Sequence, residues 1–144
     1  MTTAATTRVN RWLVCETEDR WYRAVCRYIP EIIGNDTILR IERIRVEVSQ
    51  TILARVRMPN DHVVVLWELP DVLGRPADFS ARLELISSIR LESPNVLQVA
   101  SLPSSAMVEA ALSAQEAGIA FFLPGLWSLP SVGKAATRHF SPLG

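Results

Sequence analysis

One segment of the 144-residue sequence constrains the fold more than any other: residues 62–69 read HVVVLWEL. The Val-Val-Val-Leu-Trp run shows no alternation with polar residues, so a strand at this position must be covered on both faces. The turn residues Pro59-Asn60-Asp61 precede it, and residues 70–76, which include a glycine, form a loop after it. The run therefore predicts a central strand of a parallel sheet with helices on both sides.

Four further strand candidates and five helical patterns alternate along the chain. The strands are predicted at residues 12–15, 38–48, 96–99 and 119–123, and the helices at 17–33, 49–58, 79–92, 104–118 and 131–140. We assign Thr17 as the cap of the first helix, Val108 and Leu112 to the buried face of the fourth helix, and Cys26 to the core. Five β-α units predict an α/β fold, a five-stranded, doubly wound parallel sheet of order 2-1-3-4-5 in a three-layer α/β/α, flavodoxin-like architecture.

Length and composition limit the class of protein. The length predicts a single domain, placed at residues 11–144 behind a flexible tail of residues 1–10. Fifteen Lys and Arg balance fifteen Asp and Glu, whereas a duplex-binding domain carries a basic excess, so we expect no nucleic-acid partner. No apolar run is long enough to cross a membrane, and no secretory signal is present. The expected protein is cytoplasmic and has no membrane partner.

The carboxyl ends of the strands, where this fold places its ligands, lack the common catalytic motifs. The first β-α turn, CETEDR, contains no glycine and three carboxylates, which would repel a phosphate. Neither histidine has a second ligand at metal-binding spacing, and no GxSxG elbow occurs. Carboxylates at this edge, such as Glu16 and Glu68, could hold Mg²⁺, but helix caps and solvated surface explain them better. We expect no catalytic residue, no cofactor and no metal.

Three segments resemble the receiver domains of bacterial response regulators. The segment VVVLWELPDVLG is similar to the third receiver strand and its loop, where a proline and a glycine follow the phospho-accepting aspartate at the spacing of Pro70 and Gly74. The segment VEAALSAQEAGIAFFL resembles the fourth helix and fifth strand, and LVCETEDR resembles the end of the first strand with its acidic pair. The resemblance runs from residue 11 to about residue 140 and implies the receiver fold.

The positions that carry the phosphorylation chemistry of receivers hold other residues in this sequence: Glu16, Thr17, Leu66, Ala100 and Gly125. Leu66 replaces the acceptor aspartate, and Thr17 replaces one member of the acidic pair. Ala100 replaces a hydroxyl residue, and Gly125 lies near the place of the lysine. Since phosphorylation needs a nucleophilic carboxylate, Mg²⁺ and a cation, the resemblance implies a degenerate receiver, or pseudo-receiver, that is not phosphorylated on the usual aspartate.

Two functions of different classes follow from the sequence. The first is a non-catalytic signalling and regulatory module that binds another protein or pairs as a homodimer through its fourth helix, fifth strand and fifth helix. Its candidate interface residues are Leu126, Trp127 and Leu129, in a loop flanked by prolines. The alternative is a small-molecule binding protein or enzyme with a pocket at the carboxyl ends of the strands. Its candidate pocket residues are Trp67, Glu68, Ser101 and Trp127.

Overall fold

The computed structural model describes residues 9–33, 37–45, 51–57, 61–102 and 108–140. These ranges contain five strands: β1 (Val9–Glu16), β2 (Ile38–Arg45), β3 (His62–Glu68), β4 (Leu97–Ser101) and β5 (Phe121–Leu123). They alternate with the helices α1 (Arg20–Ile33), α2 (Ile52–Val56), α3 (Pro76–Glu92), α4 (Val108–Ala117) and α5 (Leu129–His139). A short 3₁₀ turn, Leu126–Ser128, precedes α5. All strand pairs are parallel, and the order β2-β1-β3-β4-β5 confirms the predicted fold.

The central strand β3 explains how the three layers are held together. Five consecutive residues of β3, Val63–Trp67, are buried, because β1 and β4 flank the strand and helices cover both of its faces. Successive side chains point to opposite faces of a sheet. One face packs into the α3-side core, which α2, α3 and α4 cover and which includes Val65, Trp67 and Ala100. The other packs into the α1-side core, which α1 and α5 cover and which includes Val64, Leu66 and Val99.

Several element boundaries differ from the predicted ones. Helix α3 begins at Pro76. Helix α5 begins at Leu129 and has Pro130 as its second residue. A proline is tolerated in the first turn of a helix because the amide there has no intrahelical acceptor, so these prolines start helices instead of ending loops. Strand β1 begins at Val9, within the expected tail. Predictions that fall on residues 1–8, 34–36, 46–50, 58–60, 103–107 and 141–144 lie outside the described residues.

The buried face of α4 is made of alanines, and the prediction that Val108 and Leu112 face inward is wrong. These two side chains are 73% and 52% exposed, whereas the buried residues of the helix are Ala110, Ala114 and Ala117. The alanines pack in the α3-side core, and the larger side chains of the helix lie on its outer face. Cys26, which was expected in the core, is also exposed. Among the described helices, none has the length and apolarity that crossing a membrane requires.

Candidate functional site

The carboxyl edge of the sheet brings the ends of β1, β3 and β4 together. The register pairs Cys15 with Trp67 and pairs Glu68 with Ser101. Glu16, Glu68 and Ser101 therefore end three adjacent strands at the point where the chain order reverses between β1 and β3. In doubly wound folds this point is the usual place for a functional site.

Glu16 is the cap of helix α1. Its side chain is fully buried, its Oε1 accepts the Trp21 amide at 2.9 Å, and its Oε2 accepts the Tyr22 amide at 2.6 Å. These amides belong to the first turn of the helix, where N–H groups have no intrahelical partner. The prediction that Thr17 caps this helix is wrong, because the helix begins three residues later at Arg20. The carboxylate that receivers place beside a metal thus stabilises a helix in this chain.

Burial is the main influence on the protonation of Glu16, and it raises the pKa of the carboxyl above its ordinary value. The two backbone amides lower the pKa in part, while the neighbouring charges of Glu68 and Arg43 act in opposite directions. The raised pKa means that the ionised form is less favourable at this position than in the unfolded chain.

The loop between β1 and α1 is fastened from two sides. The Thr17 amide donates to Oε1 of Glu68 at 3.3 Å. Arg43 on β2 donates from Nη2 to the Thr17 carbonyl at 2.9 Å and from Nε to the Glu18 carbonyl. Glu68 and Arg43 therefore hold backbone groups of the loop.

The carboxylates at this edge do not fit the Mg²⁺ ion that a receiver fold implies. A hard cation takes several oxygen ligands from its protein, yet both oxygens of Glu16 accept amides of α1 and one oxygen of Glu68 accepts an amide of the loop. Within the described ranges, no group of three or more His, Cys, Asp or Glu side chains is placed to hold a metal ion. The donor set at this edge matches a capped helix and a fastened loop.

Core side chains stand at the two positions that the resemblance equates with the acceptor and hydroxyl positions of receivers. Leu66 is fully buried and packs in the α1-side core with Val14, Val64 and Val99. Ala100 is fully buried on the opposite face, in the α3-side core. Both positions therefore contribute to packing.

Gly125, which lies near the position that the resemblance equates with the receiver lysine, is in close contact with the side chain of Trp127. A Cβ atom built on Gly125 would lie 2.6 Å from Nε1 of Trp127, which means that the indole rests directly against the glycine backbone. The Trp127 side chain is nevertheless 75% exposed. This junction between β5 and α5 presents a large aromatic surface to solvent.

The predicted pocket is not assembled as the sequence suggested. Trp67 is fully buried, and its Nε1 donates to Oε1 of Gln98 at 2.9 Å. It belongs to the α3-side core, so its assignment to an open pocket is wrong. Ser101 is also buried, and Trp127 follows β5. Only Glu68 among the four lines a cleft of about 380 Å³, whose charged lining residues are Glu68, Asp71, Arg75, Asp78 and Arg82.

The three predicted interface residues differ in exposure. Leu129 is fully buried and Leu126 is half-buried, and both pack in or against the α1-side core. The reason is that α5 begins at Leu129, which turns this side chain toward the sheet. Trp127 remains exposed.

Sequence reasoning missed two exposed apolar residues, one on α4 and one on β5. Leu112 is exposed because the alanines at positions 110, 114 and 117 form the inner face of α4, and their helical spacing was the signal that could have shown it. Phe121 is 43% exposed because β5 is an edge strand. The sequence alone does not identify edge strands.

Solved structures share this fold over most of their length. A CheY-like protein (tadZ) from Pseudomonas aeruginosa PAO1 superposes with a TM-score of 0.65 at 11% identity, covering 88% of this chain and 92% of that chain. A response regulator receiver domain from Methanospirillum hungatei JF-1 gives 0.59 at 15% identity, with coverages of 91% and 96%. An atypical orphan response regulator gives 0.59 at 15% identity, with coverages of 89% and 95%.

These similarities establish that the chain has the CheY-like receiver fold, as its sequence resemblance implied. No protein-family model matches the sequence, and no curated protein matches it.

Proposed function

We propose that this chain is a non-catalytic, cytoplasmic regulatory module that acts by binding a protein partner, and that it does so without phosphorylation at the usual receiver position. The observation that carries the proposal is that residues at the implied phosphorylation positions contribute to core packing and helix capping. Leu66 is buried at the acceptor position, and both oxygens of Glu16 accept amides of α1. Phosphoryl transfer to a carboxylate needs a nucleophile and a metal in open positions. A regulatory role of this kind also agrees with the orphan regulator of similar fold, whose structure is described as revealing a phosphorylation-independent mechanism.

Intact-mass spectrometry after incubation with acetyl phosphate and Mg²⁺ tests the loss of phosphorylation. We expect the mass to stay unchanged, while a competent receiver domain treated in parallel gains a phosphoryl group. A phosphoryl adduct on this chain would overturn the proposal. Its loss in the Glu68→Gln variant would then assign the acceptor to the half-buried carboxylate nearest the edge.

The surface formed by α4, β5 and α5 supports pairing with a second copy. The described part of the chain exposes seven large apolar side chains, and four of them lie on α4, β5 or the turn before α5: Val108, Leu112, Phe121 and Trp127. The other three lie on separate elements: Ile38, Leu73 and Leu91. Exposed apolar side chains with aromatic members are typical of protein interfaces. We call these four residues the α4–β5–α5 surface.

A second copy is the partner that suits this surface best. A two-fold contact places the same patch of both subunits against itself. The four residues are uncharged, so contacts between them and the same residues of a second copy bring no like charges together. Receiver domains also pair through the corresponding elements, which the resemblance makes the natural expectation for this chain.

Light scattering on two leucine variants tests the pairing. Leu112→Glu places a charge within the α4–β5–α5 surface, and we expect it to convert a dimer to a monomer because the buried carboxylate would have no partner. Leu91→Glu is the matched control, since Leu91 is 82% exposed near the end of α3 and is not one of the four residues of this surface. Equal dissociation of both variants, or a monomeric wild type, would refute the pairing.

The alternative function, a small-molecule binding protein or enzyme, is supported by the cleft of about 380 Å³ beside Glu68. Its mixed acidic and basic lining would suit a ligand that carries both charges. Saturable binding of such a ligand that disappears in Glu68→Gln would favour this alternative over the interaction module.

A further inference from the structure

The amino edge of the sheet contains a cavity that is distinct from the cleft beside Glu68 and that shares only Phe121 with the α4–β5–α5 surface. It has a volume of about 630 Å³ and lies between the C-terminal ends of α3, α4 and α5 and the first residues of β4 and β5. Small-molecule sites commonly have volumes of about 300–1,000 Å³. The cavity lies at the opposite edge of the sheet from Glu16 and Leu66, so it is independent of the former phosphorylation site.

The charge lining this cavity has one sign. Among the described residues that line it, the titratable ones are Arg90, Arg138 and His139, and none is acidic. The whole chain has equal numbers of acidic and basic residues, so this sign is a local property. Arg138 is exposed and forms no ion pair with the acidic side chains that the structure describes.

Arg90 is held on the cavity wall by its surroundings. Its Nη1 donates to the Glu116 carbonyl at 2.6 Å, which leaves other N–H donors of the guanidinium available. Its stem crosses Gly118, where φ is +143° and where an added Cβ would lie 3.2 Å from Cβ of Arg90. Glycine at this turn therefore permits both the backbone conformation and the close approach of the arginine.

Helix C-termini attract basic residues for a simpler reason, because their carbonyl groups carry partial negative charge. That explanation suffices for Arg90, and for His139, whose Nε2 lies 3.1 Å from the Asn95 carbonyl. It does not account for the apolar wall beside them, where Phe121 is 43% exposed next to Ala135. A cationic side and an aromatic side facing one cavity suit a ligand with both characters.

We propose that this cavity binds a small organic anion, with its phosphate or carboxylate group at Arg138 and Arg90 and its flat apolar body against Phe121. The anionic group would form charge-assisted hydrogen bonds to the guanidinium groups. The aromatic ring would remove apolar ligand surface from water.

An NMR titration of the full ¹⁵N-labelled chain tests the site with three probes: phenyl phosphate, benzoate and neutral benzyl alcohol. We expect at least one anion to shift the amides of Gly118, Phe121 and Ala135 saturably, and the comparison of the two anions identifies the preferred headgroup. Benzyl alcohol should bind at least about tenfold more weakly, since a hydrogen bond to a charged group contributes enough for that ratio.

Two charge-removing variants on α5 distinguish a site from general attraction to a basic surface. Arg138→Gln should weaken anion binding about tenfold or more. Lys134→Gln removes the same charge from the same helix at an exposed residue that does not line the cavity, and it should leave the affinity unchanged. Equal losses in both variants, equal binding of benzyl alcohol, or cavity amides that respond to neither anion would each overturn the proposal.

Discussion

The β1–α1 and β5–α5 junctions lie at the same edge of the sheet, and their side chains are exposed to very different degrees. At the first, an acidic residue is kept and becomes internal: Glu16 is fully buried, and its two oxygens hold the first turn of α1. At the second, the cation is absent, and Trp127 rests on Gly125 with 75% of its surface exposed. The comparison indicates that Glu16 contributes to stability, while Trp127 presents an exposed aromatic surface.

Placing an aspartate at position 66, which the resemblance equates with the acceptor position, most severely tests the claim that buried residues at this edge contribute to stability. We expect Leu66→Asp to lower the free energy of unfolding by about 3 kcal/mol or more, because it removes a packed leucine and buries a carboxylate among valines. Urea denaturation measures the loss. Leu73→Asp, at a leucine that is 70% exposed, is the control and should change stability by less than about 0.5 kcal/mol. A stable Leu66→Asp protein that accepts a phosphoryl group would show that the edge has kept its chemistry.

Removing the cap of α1 should have the next largest effect. Glu16→Ala leaves the Trp21 and Tyr22 amides without their acceptor, and we expect a loss of about 2–3 kcal/mol in the free energy of unfolding. Glu16→Gln keeps one acceptor oxygen and should lose less. Glu18→Ala changes an exposed acid in the same loop and should be near neutral. Similar stabilities for Glu16→Ala and Glu18→Ala would contradict the capping role.

Trp127→Ala should behave in the opposite way from Glu16→Ala. Since its side chain is largely exposed, we expect the stability of the monomer to change by less than about 0.5 kcal/mol. The dimer should weaken by about 2 kcal/mol, as when an interface loses an aromatic anchor. Analytical ultracentrifugation and thermal unfolding measure the two quantities separately. A less stable monomer with unchanged association would contradict the assignment of Trp127 to recognition.

The smallest expected effect is the pH dependence that Glu16 contributes. Burial raises the folded-state pKa of Glu16 above its ordinary value, so the folded state binds this proton more tightly than the unfolded state does. The resulting stabilisation is fully present below the unfolded pKa, about 4.3, and is lost as pH rises through the folded pKa. The difference in unfolding free energy between wild type and Glu16→Gln should therefore shift in favour of wild type as pH falls through this range. A difference independent of pH would contradict the raised pKa.

The fold was predictable because its strongest signals are local. The apolar run at residues 62–69 marks β3, which the structure places at His62–Glu68, and the alternation of strands and helices then leaves few possible sheet orders. Helix starts were less predictable where a proline lies in the first turn, as at Pro76 and Pro130. A proline next to a helix is compatible with either a loop or a first turn, and packing decides between them.

The sequence shows which residues stand at the positions that the receiver resemblance implies, but it does not show the contacts that those residues make. The replacements at positions 66 and 100 are visible in the sequence, whereas the cap of α1 is not, because its oxygens come from the end of a strand five and six residues before the amides. The orientation of Trp67 was hidden for another reason. In a strand buried on both faces, no alternation shows which side chains reach an open edge.

Light scattering coupled to gel filtration, with and without acetyl phosphate and Mg²⁺, tests the central claim most directly. If the former site now serves the fold and the α4–β5–α5 surface acts constitutively, the chain should have the molar mass of a dimer, and the phosphodonor should not change it. A monomer that becomes a dimer only with the phosphodonor would show that the carboxyl edge still controls the protein and would contradict this account.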